Sequence, residues 1–435
     1  MAVRSRLFVD GEKERAIEDY ARENGAVRFV GTGGRLRADV LATSPTHTVM
    51  EVEHFMYVGN DTPWVSFLAQ NWYTTSTGGL GLPPTALTIE GSSVVNASRT
   101  RRQPIRWGGA RNYDIPSGYD MWSDRVHALD FNLPIFKRGQ KLICRARLAV
   151  PANTGQFPCR ATQFNPPGTY ASRFDPAEGT NATSQVDLLT PMTAKTGQAD
   201  FAVGWMFTQM AGQPLDPRIP VLICADGDSI GQSSNDTDGY ILESGSGLCR
   251  LGFDANQGRP IPMINMARGS SSVAGSALSL TNRAALFPFC AGGVAISQGG
   301  TGDIGISGGG DIEALKVALL ANWSALRAAG VARIIRLGIL PRPADTTGAA
   351  QPNFDTKSLA MHEWFQRQLL AGVIDAYVPL YSLRDPNDFT KWKPGLMPGA
   401  SAPADYTHPP SAGHILIHAE VRAVLESWYP QILAA

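Results

Sequence analysis

The pattern of apolar and polar positions divides the chain into two parts. Up to about residue 215, short runs alternate between apolar and polar residues with a period of two, and clusters of Gly, Pro, Asn and Ser separate these runs. Such alternation is typical of antiparallel strands with one buried face. The clearest runs span residues 46–53, 64–68, 86–90, 141–150 and 201–207. We therefore predict a β-rich domain over residues 1–215, built as a sandwich or a jelly roll, with one early helix near residues 12–23.

From residue 216 to residue 435, continuous apolar runs alternate with helical periodicity. Five runs predict buried strands, at residues 221–225, 261–266, 293–297, 332–340 and 373–378. Helices are predicted at residues 311–329, 356–371 and 411–428. Strands that alternate with helices form parallel sheets with right-handed crossovers. The second part is therefore predicted to be a three-layer α/β domain with a doubly wound parallel sheet.

Candidate chemistry lies at the end of the first of these strands. The run 221–225 leads into a Gly-Asp-Ser sequence that ends at Ser229, and ligands of α/β sheets lie just beyond the carboxyl ends of strands. A serine in such a turn is also common as a helix cap. Far downstream, however, Asp405 and His408 are three residues apart. A serine becomes a strong nucleophile when a neutral imidazole takes its proton and an acid orients that imidazole, so Ser229, His408 and Asp405 are candidates for a catalytic triad.

With these motifs, residues 218–435 resemble the SGNH hydrolases, also called GDSL esterases and lipases. The first block of that family is Gly-Asp-Ser, here ending at Ser229, and its last block is an Asp-x-x-His pair, here Asp405 and His408. The glycine of its second block matches Gly269. The resemblance implies a doubly wound sheet and a serine esterase whose oxyanion is stabilised by the backbone N–H groups of Ser229 and Gly269.

The third block of the family, Gly-x-Asn-Asp, is incomplete in this chain. It aligns with residues 300–303, so that Gly302 stands where the family has the asparagine that donates to the oxyanion. Loss of one such donor typically raises the barrier by about 2.7–4 kcal/mol, or about 100- to 1,000-fold in rate. Either another side chain substitutes for it or the enzyme is slow. The candidate substitutes are Gln298, Asn235 and Asn265.

Three other interpretations fit single motifs. Residues 227–231 also satisfy the G-x-S-x-G pattern of α/β-hydrolases, but in those proteins the acid and the histidine usually come from separate loops. His408, His414 and His418 suggest zinc, but no acidic ligand lies near the last two. The glycine-rich stretch 299–310 lacks the Lys-Ser/Thr of a phosphate loop. The chain is therefore expected to need no metal and no cofactor.

Composition narrows the function classes. The 435 residues include 38 basic and 38 acidic side chains, which cancel, so no basic surface argues for nucleic acid. No apolar run reaches the roughly 20 residues of a membrane-spanning helix. Residues 1–15 lack the apolar core of a signal peptide, which leaves the compartment open between the cytoplasm and export by another route. Five cysteines form no disulfide framework; Cys144 and Cys159 could pair, although buried thiols are the simpler interpretation.

Aromatic residues crowd the first part of the chain. They either fill the core of the β-rich domain or form a stacking platform for sugar rings, and the core is the commoner role. The residues are Trp64, Trp72, Tyr73, Trp107, Tyr113, Tyr119 and Trp122.

These observations predict a serine esterase of the SGNH type that hydrolyses acyl esters. A carbohydrate O-acetyl group, on a small molecule or a polysaccharide, is the expected substrate because the family resemblance and the β-rich part of the chain both favour it. The alternative is a carbohydrate-binding or structural surface protein whose hydrolase domain has decayed at Gly302. Retention of Ser229, Asp405 and His408 together favours the enzyme. The acyl chain length and the oligomeric state are not predicted.

Overall fold

The structure, a computed structural model, describes most of the chain in separate stretches. These are residues 5–9, 12–16, 27–32, 34–35, 39–42, 46–75, 80–159, 170–175, 177, 184–193, 199–200, 207–232, 236, 247–252, 260–269, 271–276, 280–305, 309–343, 351–396 and 407–430. Within them the chain forms three large sheets and three long helices. None of the helices in these stretches combines the length and the apolar character needed to cross a membrane.

A parallel sheet of six strands carries the second half of the chain. From one edge to the other, its strands are Ala376–Val378, Arg333–Leu337, Val294–Ser297, Leu222–Asp226, Met263–Asn265 and Gly34–Arg35. All five pairings between neighbours are parallel. The strand Leu222–Asp226 is buried along its whole length, as expected where helices cover both faces of a sheet. The fold is thus mixed α/β with a parallel sheet, as the sequence predicts.

Three long helices cover the two faces of this sheet. Ile312–Ala328 and Pro352–Leu370 share one apolar core with one face, and Ser411–Trp428 shares a second core with the opposite face. Side chains along the central strand alternate between these cores: Ile223 belongs to the first and Cys224 to the second. The result is a three-layer arrangement.

Shorter helical segments lie in the connections between these elements. They are the short α-helices Ser229–Gln232, Val273–Ser276, Leu280–Ala284 and Thr301–Ile304, and the 3-10 helices Ala128–Phe131, Gly247–Gly252, Phe287–Cys290 and Tyr381–Leu383. Two of them, Ser229–Gln232 and Thr301–Ile304, begin just beyond the carboxyl ends of neighbouring strands. Their first turns therefore lie close together at one edge of the parallel sheet.

Two large sheets contain most of the first half of the chain. One has the order Glu12–Ala16, Ser5–Val9, Asp120–Trp122, Trp64–Gln70, Phe207–Gly212 and Arg28–Phe29, with Val126–His127 also beside Trp64–Gln70. The other has the order Arg102–Pro104, Leu87–Asn96, Lys141–Ala149, Val49–Val58, Tyr170–Phe174 and Ala199–Asp200. Two short strands also belong to this second sheet: Tyr113–Ile115 pairs with Leu87–Asn96, and Gly31–Thr32 pairs with Val49–Val58. Two-stranded ribbons are Tyr73–Thr74 with Leu80–Gly81, Asp39–Ala42 with Gln156–Cys159, and Arg384–Asp385 with Asp388–Trp392.

Buried side chains of the two large sheets form one apolar core. Val65 and Phe67 contribute from the first sheet, and Val52 and Leu142 from the second. The four tryptophans that the structure describes in this half are buried as well, so they fill cores and do not form an exposed platform; they are Trp64, Trp72, Trp107 and Trp122.

The structure corrects one expectation about the first half. The helix predicted near residues 12–23 is wrong, because Glu12–Ala16 is a strand paired antiparallel with Ser5–Val9; residues 17–23 lie outside the described stretches. Pairing with a neighbouring strand outweighs the helical propensity of this charged segment. One strand of the parallel sheet comes from outside residues 216–435. Gly34–Arg35 comes from the first half and forms the sixth strand of the parallel sheet.

The two halves also share a core and direct hydrogen bonds. The ring of Phe29 stacks on Phe289 with centroids 5.1 Å apart, and Trp122 lies 4.9 Å from the same ring. The Nε2 atom of Gln209 donates to the carbonyl of Met263 at 2.8 Å. The first half of the chain therefore packs directly against the parallel sheet.

Candidate active site

Ser229 and His408 meet at the carboxyl edge of the parallel sheet. Ser229 begins the one-turn helix that follows Leu222–Asp226, and His408 lies three residues before the helix Ser411–Trp428. The Nε2 atom of His408 is 2.6 Å from the Oγ atom of Ser229, although 179 residues separate them. Both residues are partly exposed, so the pair is open to small molecules. A neutral imidazole in this position accepts the serine proton, which is the arrangement of a nucleophile with its general base.

Two of the predicted site residues, Asp405 and Asn235, lie outside the described residues. The remaining candidates, namely Gly269, Gln298, Asn265 and Gly302, are all described.

Gly269 lies beside Ser229, and the N–H group of Gly269 already has a partner. A Cβ atom added at Gly269 would be 3.8 Å from the Cβ atom of Ser229. The N–H of Gly269 donates to the side-chain oxygen Oε1 of Gln232, the last residue of the helix that Ser229 begins. No sequence motif contains Gln232 as a candidate site residue. The only signal for it is the spacing of three residues from Ser229, which places both side chains on one side of a helical turn.

Gln298 and Asn265 brace the loop that carries Ser229. The Oε1 atom of Gln298 accepts hydrogen bonds from Gly231 N at 2.7 Å and from Asp228 N at 3.2 Å. The Nδ2 atom of Asn265 donates to the carbonyl of Gly231 at 2.8 Å, and its Oδ1 atom accepts from Ala267 N at 2.9 Å. The carboxamide of Asn265 is thus engaged at both ends by backbone groups, which argues against Asn265 as the substitute oxyanion donor. For Gln298, the nitrogen Nε2 is the atom left to donate.

Gly302 lies in the short helix Thr301–Ile304, close to other backbone atoms. Its N–H faces the Oδ2 atom of Asp228 at 3.4 Å, while the Oδ1 atom of Asp228 accepts from Ile230 N at 2.9 Å. A Cβ atom at position 302 would lie 2.9 Å from the carbonyl oxygen of Ser271. Any side chain at position 302 would thus crowd the backbone of Ser271. This is a steric reason for glycine at the position where the SGNH hydrolases have asparagine.

Asp303 joins the third-block loop to the segment after Gly269. Its two carboxylate oxygens accept hydrogen bonds from Val273 N at 2.8 Å and Ala274 N at 2.9 Å. Burial raises the pKa of the Asp303 carboxyl, and the two N–H groups oppose that shift. The contacts of Asp303 are with backbone, which fits a bracing role.

A buried polar network lies beside the loop that carries Ser229. The Oγ atom of Ser297 donates to Asp226 Oδ2 at 2.6 Å and accepts from Arg336 Nη1 and from Trp323 Nε1, each at 3.0 Å. The Oδ1 atom of Asp226 accepts from Gln298 N at 3.0 Å. Burial raises the pKa of the Asp226 carboxyl and lowers the pKa of Arg336 to about 10. The network fixes Gln298 to the sheet, and Gln298 in turn fixes the loop around Ser229.

The structure also tests the zinc and disulfide alternatives. In the described stretches, no three or more His, Cys, Asp or Glu side chains gather in a way that could hold a metal ion. His414 is buried on the helix Ser411–Trp428. Cys144 is a free, buried thiol, so it does not pair with Cys159.

Comparisons with known proteins find similarity of structure and not of sequence. No family model matches the chain, and no curated protein matches it either. A GDSL-like lipase from Bacteroides thetaiotaomicron VPI-5482 is 14% identical, with a TM-score of 0.36, over 50% of this chain and 92% of that one. A lipase/acylhydrolase from Enterococcus faecalis is 14% identical, with a TM-score of 0.35, over 48% of this chain and 96% of that one.

A further similar structure extends over most of this chain. It is a family two carbohydrate esterase from Clostridium thermocellum, solved in complex with cellohexaose, which is 12% identical with a TM-score of 0.35. The match covers 89% of this chain and 98% of that one. The three neighbours are thus a lipase, a lipase/acylhydrolase and a carbohydrate esterase.

Proposed function

We propose that this protein is a serine esterase of the SGNH type that hydrolyses acyl esters. The observation that carries the proposal is the 2.6 Å distance between Ser229 Oγ and His408 Nε2 at the carboxyl end of the central strand. That edge of an open α/β sheet is where such folds bind their ligands. A partly exposed serine hydroxyl within hydrogen-bond distance of a partly exposed imidazole, at the carboxyl edge of the sheet, is suited to acyl transfer.

The reaction proceeds in two balanced steps. His408 Nε2 takes the Ser229 proton while Oγ forms a bond to the ester carbonyl carbon; collapse of the tetrahedral intermediate breaks the ester C–O bond, and His408 returns the proton to the leaving alcohol. Water then attacks the acyl-serine in the same way and releases the carboxylic acid. Asp405, in this proposal, accepts the Nδ1–H of His408 and keeps the imidazole in the required tautomer.

The oxyanion of each intermediate needs preorganised donors. We assign this role to the backbone N–H groups of Ser229 and Gly269, which lie on neighbouring loops at the same edge of the sheet. Each such donor typically contributes about 2.7–4 kcal/mol. Position 302 provides no side-chain donor. Of the two described candidates, Asn265 Nδ2 already donates to the carbonyl of Gly231 at 2.8 Å, which leaves Gln298 Nε2 as the candidate.

The substrate we propose is an O-acetyl group on carbohydrate, in a small molecule or a polysaccharide. Residues 216–435 would carry the hydrolase and residues 1–215 the accessory β-rich part, with Gly34–Arg35 shared between them. The first half reaches the active-site loops, since Arg268 Nε donates to the carbonyl of Thr74 at 3.2 Å next to Gly269. A sugar bound near Ser229 would therefore have residues of the first half as neighbours.

The glycine at position 302 favours the alternative of a non-catalytic carbohydrate-binding protein. One experiment separates the two functions. Wild type and Ser229→Ala are tested for turnover of a short-chain nitrophenyl ester, and for acetate release from an O-acetylated oligosaccharide. Ser427→Ala serves as the control, because Ser427 is exposed on the C-terminal helix and bonds only its own helical turn.

An esterase gives turnover in wild type and in Ser427→Ala, and loses it in Ser229→Ala. A fluorophosphonate should add its mass to the peptide that contains Ser229 and to no other peptide. Sugar binding without turnover in all three proteins would instead identify the non-catalytic function. Turnover that survives in Ser229→Ala would assign the activity to another residue.

A further inference from the structure

Gln232 engages the backbone donor that an ester carbonyl would need. The side chain is almost fully buried, at 4% exposure, and its Oε1 atom accepts the hydrogen bond from Gly269 N. Gly269 lies beside Ser229, and its N–H is one of the two oxyanion donors in the proposed function. A carboxamide oxygen and an ester carbonyl oxygen are the same kind of acceptor, so both compete for that N–H.

From this contact we propose that Gln232 holds the place of the substrate carbonyl oxygen in the unliganded enzyme, and that the ester displaces it. Gln232 would then be a specificity-determining residue, because only an acyl group that binds Gly269 N better than the carboxamide gains access to the donor. The inference rests on the proposed esterase function. It requires that the Gln232 side chain moves while the backbone around it stays fixed.

The backbone contacts meet the second part of that requirement. The N–H of Gln232 donates to the carbonyl of Asp228 at 2.9 Å, which closes the helical turn. The preceding residue, Gly231, is held from both sides, by Gln298 at its N–H and by Asn265 at its carbonyl. Rotation about the side-chain torsions of Gln232 is therefore the motion that frees Gly269 N.

The position at 269 is also suited to this exchange. A Cβ atom at Gly269 would collide with Oε1 of Gln232, so only glycine allows the carboxamide to approach the N–H. A side chain at 269 would obstruct an ester carbonyl in the same way. Glycine at this position thus leaves room for one oxygen atom, either that of Gln232 or that of the substrate.

The proposal predicts how activity changes when the contact is removed or strengthened. Gln232→Met keeps the length of the side chain but has no oxygen, so KM should fall by about 2- to 10-fold, the equivalent of one neutral hydrogen bond, with kcat little changed. Gln232→Glu provides a charged acceptor that binds the N–H more tightly, so kcat/KM should fall at least about 10-fold at pH 7. Gln366→Met on the exposed face of Pro352–Leu370 is the matched control and should change neither constant.

A second measurement tests the contact without turnover. In backbone-labelled protein, NMR hydrogen exchange of the Gly269 amide should be slow in wild type and in Gln366→Met, and faster in Gln232→Met. Thermal unfolding of each variant shows that it is folded. Faster exchange together with a lower KM supports the proposal.

Other outcomes overturn it in distinguishable ways. Unchanged exchange at Gly269 in Gln232→Met means that the contact is absent in solution. A lower kcat with unchanged KM means that Gln232 positions Gly269 for the transition state and does not compete with substrate. A third outcome is that Gly269 exchanges faster in Gln232→Met but that neither wild type nor any variant turns over an ester. The esterase function is then wrong, and the proposal that an ester displaces Gln232 is wrong as well.

Discussion

The side-chain oxygen of Gln298 joins the two sides of the nucleophile turn, since it lies 2.7 Å from Gly231 N and accepts from Asp228 N as well. Ser229 lies between these two residues in the sequence. A single acceptor thus fixes the backbone on either side of the reacting hydroxyl. Gln298 is itself fixed through its own N–H by the buried carboxyl of Asp226.

Two substitutions separate the accepting role of Gln298 from a donating one. Gln298→Met removes the acceptor and leaves two buried N–H groups without it, so kcat should fall on the order of 10- to 100-fold, with a smaller change in KM. Gln298→Glu keeps a carbonyl oxygen in the same place and loses the Nε2 donor. We expect Gln298→Glu to retain most of the activity that Gln298→Met loses. Equal damage in both variants would instead identify Nε2 as the missing oxyanion donor.

Substitution at Gly302 tests the steric reason for that residue. A Cβ atom there would meet the carbonyl oxygen of Ser271 at 2.9 Å, a distance at which the backbone must shift. We expect Gly302→Ala and Gly302→Asn to lower the melting temperature by a similar amount, and neither to raise kcat. The alanine variant is the control for the added Cβ. A gain of about 100- to 1,000-fold in Gly302→Asn alone would show that the oxyanion site lacks a donor and that asparagine restores it.

Activity should depend on the imidazole of the pair. Because a neutral imidazole accepts the Ser229 proton, we expect His408→Gln to lower kcat by about 100- to 10,000-fold. Circular dichroism checks that the variant stays folded. Full activity in folded His408→Gln would contradict the assignment of His408 as the base.

Acid stability should depend on a histidine far from the site. Burial lowers the pKa of His54 to about 3, from the 6.5 of an ordinary imidazole. Between pH 6.5 and about 3 the unfolded chain binds a proton at this residue that the folded protein does not, so the free energy of unfolding falls as the pH is lowered. The slope from one such group is at most about 1.4 kcal/mol per pH unit.

The variant that tests this is His54→Phe, in which a ring is kept beside Phe207, whose centroid lies 5.4 Å away. Its free energy of unfolding should fall less steeply than that of wild type between pH 6 and 4, as measured by urea titration at each pH. At pH 8, both states of wild type have a neutral imidazole, so the comparison there gives the packing effect alone. If the free energy of unfolding of the two proteins changes equally with pH, His54 is not the group that causes the loss of stability in acid.

The parts of the fold that follow from local pattern were predictable, and those that depend on tertiary contacts were not. The strand Leu222–Asp226 could be predicted because its residues form a continuous apolar run. The helix Ser411–Trp428 could be predicted because its apolar residues recur with helical spacing. Gly34–Arg35 has two residues and no periodicity, so its place in the parallel sheet is visible only once Met263–Asn265 is beside it.

The same distinction applies to the site. The Gly-Asp-Ser and Asp-x-x-His motifs pointed to Ser229 and His408, which the structure places within hydrogen-bond distance. Gln232 had no motif, because its role depends on the approach of Gly269 from a loop 37 residues away. Asn265 was proposed as a donor from its position alone, and its backbone partners could not be seen in the sequence.

The stacking of Phe29 on Phe289 has a consequence for how the whole chain melts. A ring from the first half completes the core behind the parallel sheet, and Gly34–Arg35 covers what would otherwise be an open sheet edge at Met263–Asn265. A fragment beginning at residue 216 would lose both, and would present bare strand edge and apolar surface to other copies of itself. We therefore expect calorimetry of the intact protein to show a single endotherm, and Phe29→Ala to lower its midpoint temperature.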